Sequence, residues 1–291
     1  MTMDIEPVAG ADEYTTLNGL RAHYVEWGPP DATPIVLLHG LRSYARTWEP
    51  VAAELAGRHR LIALDHRGRG DSVWDPEGRY TTEAYVSDLE EFVDRLGLER
   101  FVLIGHSMGG ANAIVYAARH PERVRLAVIE DIGPGSSAHG AGAERIRHEL
   151  ERTPRRFAGL AEARAYWRSV RPGISGDALD SRVRHTLRAD ADGTLLWKFD
   201  LEGIARTRLS TDASQRVDLW PYLVTLRCPT LVLRGARSDF LPGSVCDEMA
   251  ARQPLLTWQE IPGAGHYVHD DNLTDYLATL CGFLERYREL P

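Results

Sequence analysis

Short apolar runs recur along the chain, separated by longer segments in which apolar and polar residues mix. Each run has the length of a strand, and its unbroken apolar character is typical of a strand buried on both faces of a sheet. The runs occupy residues 35–38, 61–64, 101–104, 124–129, 230–233 and 255–261. They predict the strands of a mostly parallel sheet.

Helical patterns fill several of the intervals between the predicted strands. Val86, Leu89, Val93 and Leu96 follow one another at steps of three or four residues, which places them on one face of a helix. Further helices are predicted at residues 48–56 and 111–118 and around Leu273, Leu277, Leu280 and Leu284. This alternation of strands and helices predicts an α/β fold, with a mostly parallel central sheet and helices on both faces.

Two segments depart from the alternation. Residues 1–13 are predicted to form a loose polar arm, and residues 14–27 to form two antiparallel strands joined by Asn18-Gly19, a strong hairpin signal. Residues 135–221 contain arginine-rich helical stretches and give no signal for a buried strand. We therefore predict a core formed by residues 1–134 and 222–291, into which residues 135–221 are inserted as a helical cap.

The predicted cap carries an excess of positive charge. Eleven arginines and five carboxylates lie between residues 145 and 188. A solvated helical face is the simpler interpretation of this excess. The alternative is that one of the arginines attracts an anionic substrate towards a pocket.

Composition narrows the class of protein. The 291 residues carry a formal net charge of −8, which argues against a nucleic-acid partner. No apolar stretch is long enough to span a membrane and the first residues lack the pattern of a signal peptide, so a cytoplasmic protein is predicted. Cys228, Cys246 and Cys281 are too few and too widely spaced for a disulfide framework or a zinc signature.

The motif Gly105-His106-Ser107-Met108-Gly109 lies between a predicted strand and a predicted helix. Its glycines permit a sharp turn that exposes the serine hydroxyl. The start of the helix aims backbone N–H groups and the positive end of its dipole at the group that the serine attacks. Ser107 is therefore the candidate nucleophile, and the alternative is an ordinary glycine-rich turn.

These features resemble the α/β-hydrolase family over nearly the whole chain. Besides the serine motif, the resemblance rests on four loops that follow predicted strands. They are His39-Gly40-Leu41, residues 65–72, Gly235-Ala236-Arg237-Ser238-Asp239 and Gly263-Ala264-Gly265-His266. The resemblance implies the fold of that family, a lid at residues 135–221, and the order nucleophile, acid, histidine along the chain.

A serine hydroxyl needs a base to accept its proton and a carboxylate to orient that base. His266 is the predicted base, because the glycine-rich loop after the last strand can carry it back over the sheet edge. His269 is the alternative base, and is otherwise predicted to be a surface loop residue. His106 and His39 lie beside the glycines of their motifs and are predicted to be packed or hydrogen-bonded.

The resemblance leaves two positions open for the acid. Many members carry an aspartate three residues after the glycine that ends the later strand, where this chain has Ser238, and Asp239 comes one position late. Another branch carries the acid at the end of the strand after the nucleophile helix, which is Asp131 here. Asp131 is favoured over Asp239. Glu130 is adjacent, but neighbours on a strand point to opposite faces, so only one of the two should face the histidine.

Acyl transfer also requires an oxyanion hole, which the resemblance places at the backbone N–H groups of Leu41 and Met108. No cofactor or metal is predicted, since neither a phosphate loop nor a metal-ligand spacing is found. The predicted function is carboxylesterase-like hydrolysis of a small-molecule ester, or of a lactone as an internal ester, through an acyl-enzyme at Ser107. The alternatives are cleavage of a carbon–carbon bond in a β-diketone-type substrate and a non-catalytic ligand receptor on the same fold.

Overall fold

The computed structural model describes residues 9–210, 212 and 216–290. Its strands are β1 (Ala11–Leu17), β2 (Leu20–Trp27), β3 (Thr33–Leu38), β4 (His59–Leu64), β5 (Phe101–His106), β6 (Val124–Glu130), β7 (Arg156–Phe157), β8 (Leu187–Ala189), β9 (Leu195–Trp197), β10 (Thr230–Gly235) and β11 (Leu256–Ile261). Its helices are α1 (Glu49–Leu55), α2 (Thr82–Arg95), α3 (Met108–Arg119), α4 (Ala141–Arg152), α5 (Leu160–Val170), α6 (Gly176–Thr186), α7 (Leu201–Arg208), α8 (Trp220–Leu223), α9 (Gly243–Arg252), α10 (Val268–Asp271) and α11 (Leu273–Arg286). A 3₁₀ turn, Ala45–Trp48, precedes α1.

An eight-stranded sheet forms the centre of the molecule, in the spatial order β1-β2-β4-β3-β5-β6-β10-β11. Strands β1 and β2 pair antiparallel, as do β2 and β4, and every other pair in this sheet is parallel. The predicted α/β fold class is therefore confirmed.

The predicted hairpin is also present, because Asn18 and Gly19 both have positive φ between β1 and β2, as a tight hairpin turn requires. The predicted polar arm is wrong in part. Residues 11–13 already belong to β1, while residues 1–8 lie outside the described residues.

Unbroken apolar runs occupy most of each central strand because helices cover both faces of the sheet. Val36 and Leu103 face a layer that includes α2 and α3, whereas Leu37 and Ile104 face a layer that includes α1 and α11. Successive residues of a strand point to opposite faces, so each of these strands serves two cores at once. This explains why the sequence shows unbroken apolar runs there.

The described residues between β6 and β10 contribute no strand to the central sheet. They contain helices α4 to α8 and a separate three-stranded sheet in the order β7-β9-β8. The expectation of helices alone was thus incomplete. Strands of two or three residues show no measurable periodicity, so an apolar pattern gives no signal for them.

The loops that follow β3, β5, β6 and β10 all leave from the carboxyl ends of parallel strands. In a parallel sheet these ends lie at one edge, which is where such folds place their functional groups. The loops after β3, β5 and β6 begin at His39, Ser107 and Asp131. Residues far apart along the chain therefore meet above this edge.

Candidate active site

Ser107 forms the turn between β5 and α3. Its backbone is in an unusual region, with φ 51° and ψ −114°, and its side chain is largely buried. A non-glycine residue adopts such a conformation only where the surrounding structure holds it. Close packing demands glycine on either side, because a Cβ on Gly105 would lie 2.4 Å from the carbonyl oxygen of Gly109.

His266 connects the serine to a carboxylate. The Ser107 hydroxyl lies 3.0 Å from His266 Nε2, and His266 Nδ1 lies 2.7 Å from Oδ2 of Asp131. A carboxylate only accepts hydrogen bonds, so Nδ1 carries the proton and donates it to Asp131. Nε2 is then left with its lone pair directed at the serine hydroxyl.

Asp131 is fully buried and follows directly on β6. Its backbone also has a positive φ of 51°, which turns the side chain away from the direction of the strand. Two other groups donate to its carboxylate: the backbone N–H of Gly235, 3.1 Å from Oδ1, and the hydroxyl of Ser238, which bonds Oδ2. The oxygen atoms of Asp131 are thus held in place while Oδ2 faces His266.

Asp239, the other position considered for the acid, has a different partner. Nε and Nη2 of Arg145 each donate to its carboxylate at 2.8 Å. The hydrogen bonds from Arg145 lower the pKa of Asp239 below its usual value. Asp239 therefore joins α4 to the loop after β10, and the structure brings Asp131 to His266 instead.

The loop after β3 lies against the serine turn. A Cβ on Gly40 would come within 2.7 Å of His106 Nδ1 and 3.5 Å of the Ser107 Cβ, so only glycine permits this approach. His39 holds the loop, since its Nδ1–H donates to the carbonyl of Gly40 at 2.8 Å. Burial lowers the pKa of His39 to about 4, which keeps the ring neutral.

The two backbone N–H groups predicted to form an oxyanion hole belong to residues beside this contact. Met108 is the first residue of α3, so its N–H has no acceptor within the helix. Leu41 follows Gly40 in the adjoining loop. An arrangement of this kind can stabilise negative charge on an oxygen placed beside Ser107.

A sequence model of the α/β hydrolase fold matches residues 33–273. The chain belongs to the α/β-hydrolase family. Its relatives include the 3-hydroxybutyrate-oligomer hydrolase of Cupriavidus necator, which is 32% identical over 91% of this chain and 93% of that protein. They also include the N-formylmaleamate deformylase of Pseudomonas putida, which is 29% identical over 96% of this chain and 97% of that protein.

A solved structure in the same α/β-hydrolase family superimposes closely. It is that of E-2-(acetamidomethylene)succinate hydrolase, with a TM-score of 0.85 and 25% sequence identity over 95% of this chain and all of that one. Agreement over both whole chains shows that the segment between β6 and β10 belongs to the shared architecture.

The sequence analysis missed another buried histidine–carboxylate pair, close to the candidate active site of this α/β hydrolase. His269, predicted to be a surface loop residue if it is not the base, is 3% exposed, and its Nδ1 lies 2.7 Å from Glu130 Oε1. Glu130 and Asp131 thus contact different histidines. The pair anchors α10, which begins two residues after His266.

Arg69 was also missed, because nothing distinguishes it in sequence from Arg67 two residues earlier. Arg67 pairs with Asp75 and Asp88, whereas Arg69 is fully buried and has no carboxylate partner in the described part of the chain. Its Nε donates to the carbonyl oxygen of Leu41 at 2.8 Å, and its Nη2 lies 3.8 Å from Met108 Sδ. Arg69 therefore contacts both Leu41 and Met108, whose backbone N–H groups are predicted to form the oxyanion hole.

His106 supports the loop that carries His266. Its Nε2–H donates to the backbone carbonyl of His266 at 2.8 Å. Burial, together with the nearby His266 and His269, holds the pKa of His106 well below its usual value. As predicted, both His106 and His39 are buried and hydrogen-bonded.

One group of described residues has atoms close enough together to hold a metal ion: His23, Asp65 and Asp71, within 4.8 Å of one another. Their atoms have other partners, because Asp65 is bonded to His23 Nδ1 at 2.6 Å and Asp71 pairs with Lys198. Among the described residues, the helices are too short or too polar to cross a membrane.

Proposed function

We propose that this chain is a serine hydrolase that cleaves a carboxylic ester of a small molecule, with lactones included as internal esters. The observation that carries the proposal is the unbroken hydrogen-bonded chain from Ser107 through His266 to Asp131. Ser107 is the proposed nucleophile and His266 the general base. Asp131 orients the imidazole and stabilises its cation.

The proposed reaction has two steps. Ser107 Oγ attacks the carbonyl carbon while His266 Nε2 accepts the hydroxyl proton, and the alcohol leaves with that proton, so an acyl-enzyme remains. Water then attacks the acyl carbon, giving its proton to His266, which returns it to Ser107 as the acid is released. The proton count of the enzyme is the same before and after the cycle.

The N–H groups of Leu41 and Met108 are the proposed donors to the oxyanion. Each is expected to lower the barrier by about 3 kcal/mol, the usual value for one such donor. They act only when charge has developed on the carbonyl oxygen, which is why they would accelerate the reaction rather than only bind substrate.

A second candidate is hydrolysis of an N-acyl bond at the same site. The names of two relatives, a formylmaleamate deformylase and an acetamidomethylene succinate hydrolase, favour it. The chemistry would differ in one step, because a nitrogen leaving group must receive the proton from His266 as the bond breaks.

Hydrolysis of short-chain p-nitrophenyl esters tests the first proposal. We expect many turnovers by the natural protein and a loss of at least about 10³-fold in Ser107→Ala, because the nucleophile and its base act as a unit. Ser169→Ala, on the exposed part of α5, is the matched control and should keep full activity. Circular dichroism checks that each variant is folded.

The outcomes separate the candidates. Turnover retained by Ser107→Ala would contradict a serine mechanism of either kind. Release of a single equivalent of p-nitrophenol that then stops would contradict the esterase proposal and favour a receptor. Turnover of N-formyl amides without turnover of esters would replace the first candidate by the second.

A further inference from the structure

Two arginines between β6 and β10 lack the partners that their neighbours have. Arg147 on α4 and Arg208 at the end of α7 are half-buried, and neither pairs with a carboxylate in the described part of the chain. The other arginines of residues 141–208 that are at least half-buried all have such a partner. They are Arg145, Arg164, Arg171 and Arg182.

The surroundings of Arg208 are cationic. The groups that act on its charge include Tyr85, Arg216, Arg147 and Arg69, and none of these is a carboxylate. Burial, followed by repulsion from these arginines, lowers the pKa of Arg208. Partly buried positive charges that converge without a counter-ion destabilise the fold, and a bound anion would offset that cost.

A buried hydroxyl in the same place is also without a partner. Tyr85 is 2% exposed, and its Oη forms no hydrogen bond of normal geometry among the described residues, although the guanidinium of Arg69 lies close enough to lower the Tyr85 pKa slightly against the effect of burial. Burial raises the pKa of Tyr85, so the hydroxyl keeps its proton and can act as a donor. A buried donor left unpaired is costly, and a carboxylate oxygen would satisfy it.

Tyr85 lies near the turn that carries Ser107 and Met108. The Cζ of Arg69 lies 5.6 Å from the centre of the Tyr85 ring, and Nη2 of the same arginine lies 3.8 Å from Met108 Sδ. Met108 follows Ser107 directly. Arg69 and Met108 thus connect the turn of Ser107 with Tyr85.

We propose that Arg208, Arg147 and Tyr85 form a carboxylate subsite, and that the substrate carries a carboxylate in addition to the bond that is cleaved. The position of the cleaved bond rests on the proposed function, whereas the subsite itself rests on the unpaired donors. The guanidinium groups supply charge-assisted hydrogen bonds to the carboxylate oxygens, and the Tyr85 hydroxyl supplies a third.

Binding is measured first, on Ser107→Ala so that no turnover occurs. The probes are the monomethyl half-esters of succinate, glutarate and adipate, each compared by calorimetry with the neutral amide of the same shape. We expect the best half-ester to bind about 10- to 100-fold more tightly than its amide, the range for hydrogen bonds to a charged group. Acetyl esters of glycolate and lactate, each compared with its amide, test whether the carboxylate belongs to the alcohol that leaves.

Arg208→Gln and Arg147→Gln, each added to Ser107→Ala, should remove most of the preference for the charged probes and leave the affinity for the amides within twofold. Arg206→Gln is the matched control, because Arg206 lies on the same helix but is exposed. If the charged and neutral probes bound equally, both among the half-esters and among the acetyl esters, the carboxylate subsite would be refuted.

Kinetics then separate this inference from the proposed function. With an intact Ser107, Arg208→Gln should lower kcat/KM for half-esters about 10-fold or more and lower that for the amide-bearing esters much less. A preference in binding that depends on Arg208, without hydrolysis of any ester, would refute the esterase and retain the subsite. Hydrolysis of both kinds of ester at equal rates, unaffected by Arg208→Gln, would refute the subsite and retain the esterase.

Discussion

At the scale of the residue, the candidate site depends on two backbone conformations that side chains normally avoid. Ser107 and Asp131 both have φ of 51°, and in the described residues only Asn18 shares a positive φ without being glycine. Each conformation costs about 1–3 kcal/mol. Buried hydrogen bonds offset this cost, and the two turns direct a hydroxyl and a carboxylate at the same imidazole.

The choice between Asp131 and Asp239 gives a prediction at this scale. Asp131→Asn should lower kcat about 10³- to 10⁴-fold, because an amide no longer holds the required tautomer of His266 or stabilises its cation. Asp239→Asn removes only a partly exposed ion pair with Arg145, so kcat should stay within about threefold and stability within about 1 kcal/mol.

Steady-state kinetics at saturating ester, with urea unfolding of both variants, checks the ranking. The two substitutions are the same in chemistry and serve as controls for each other. If Asp239→Asn proved the more damaging to kcat, the orienting role would pass to Asp239.

At the scale of the element, α10 positions the loop of His266 although it has only four residues. A helix of this length has no stability of its own. It is held by the buried pair of Glu130 and His269, and by stacking of the His269 ring on Trp48 with centres 4.4 Å apart. The end of β6 thus fixes both Asp131 and, through α10, the segment that follows His266.

Glu130→Gln is therefore expected to destabilise the protein by about 3 kcal/mol, since it leaves a buried imidazole without its carboxylate. Urea unfolding measures the change. Glu90→Gln breaks the partly exposed pair with His120 and is the matched control, with an expected loss below about 1 kcal/mol. Equal losses in the two variants would mean that the Glu130 pair does not anchor α10.

At the scale of the whole molecule, buried histidines set the dependence of stability on pH. Burial lowers the pKa of His39, His66 and His106. The unfolded chain binds protons at these positions below about pH 6.5 and the folded chain resists them, so their contribution to stability is lost as the pH falls.

Two other histidines act in the opposite direction. Burial opposes protonation of His269 and His23, but the carboxylates of Glu130 and Asp65 outweigh it and raise both pKa values. Their contribution is fully present below about pH 6.5 and is lost as the pH rises through the raised values.

The Tm should therefore pass through a maximum near pH 6–7. On the acid side each titrating histidine should change the free energy of unfolding by about 1.4 kcal/mol per pH unit. Calorimetry from pH 4.5 to 9 checks this for the natural protein. His66→Phe should flatten the acid side, whereas His148→Gln, at an exposed position, should not. An unchanged acid side in His66→Phe would refute this account.

The sequence by itself was enough to predict the central sheet, the turn that carries Ser107 and the loop that carries His266. Unbroken apolar runs follow from strands with helices on both faces, and the glycines of the serine motif follow from the contact of Gly105 with the backbone of Gly109. These are local requirements of chain geometry, so they leave a pattern that can be read without knowing the rest of the fold.

Only the tertiary structure decided which polar residues meet. The sequence favours Asp131 over Asp239 but leaves both open, and the end of β6 brings Asp131 to His266 while α4 brings Arg145 to Asp239. The burial of His269 beside Glu130 and the cationic surroundings of Arg208 likewise depend on segments that lie far away along the chain. Charged groups pair when they are close in space, and the spacing of residues along the chain does not give that distance.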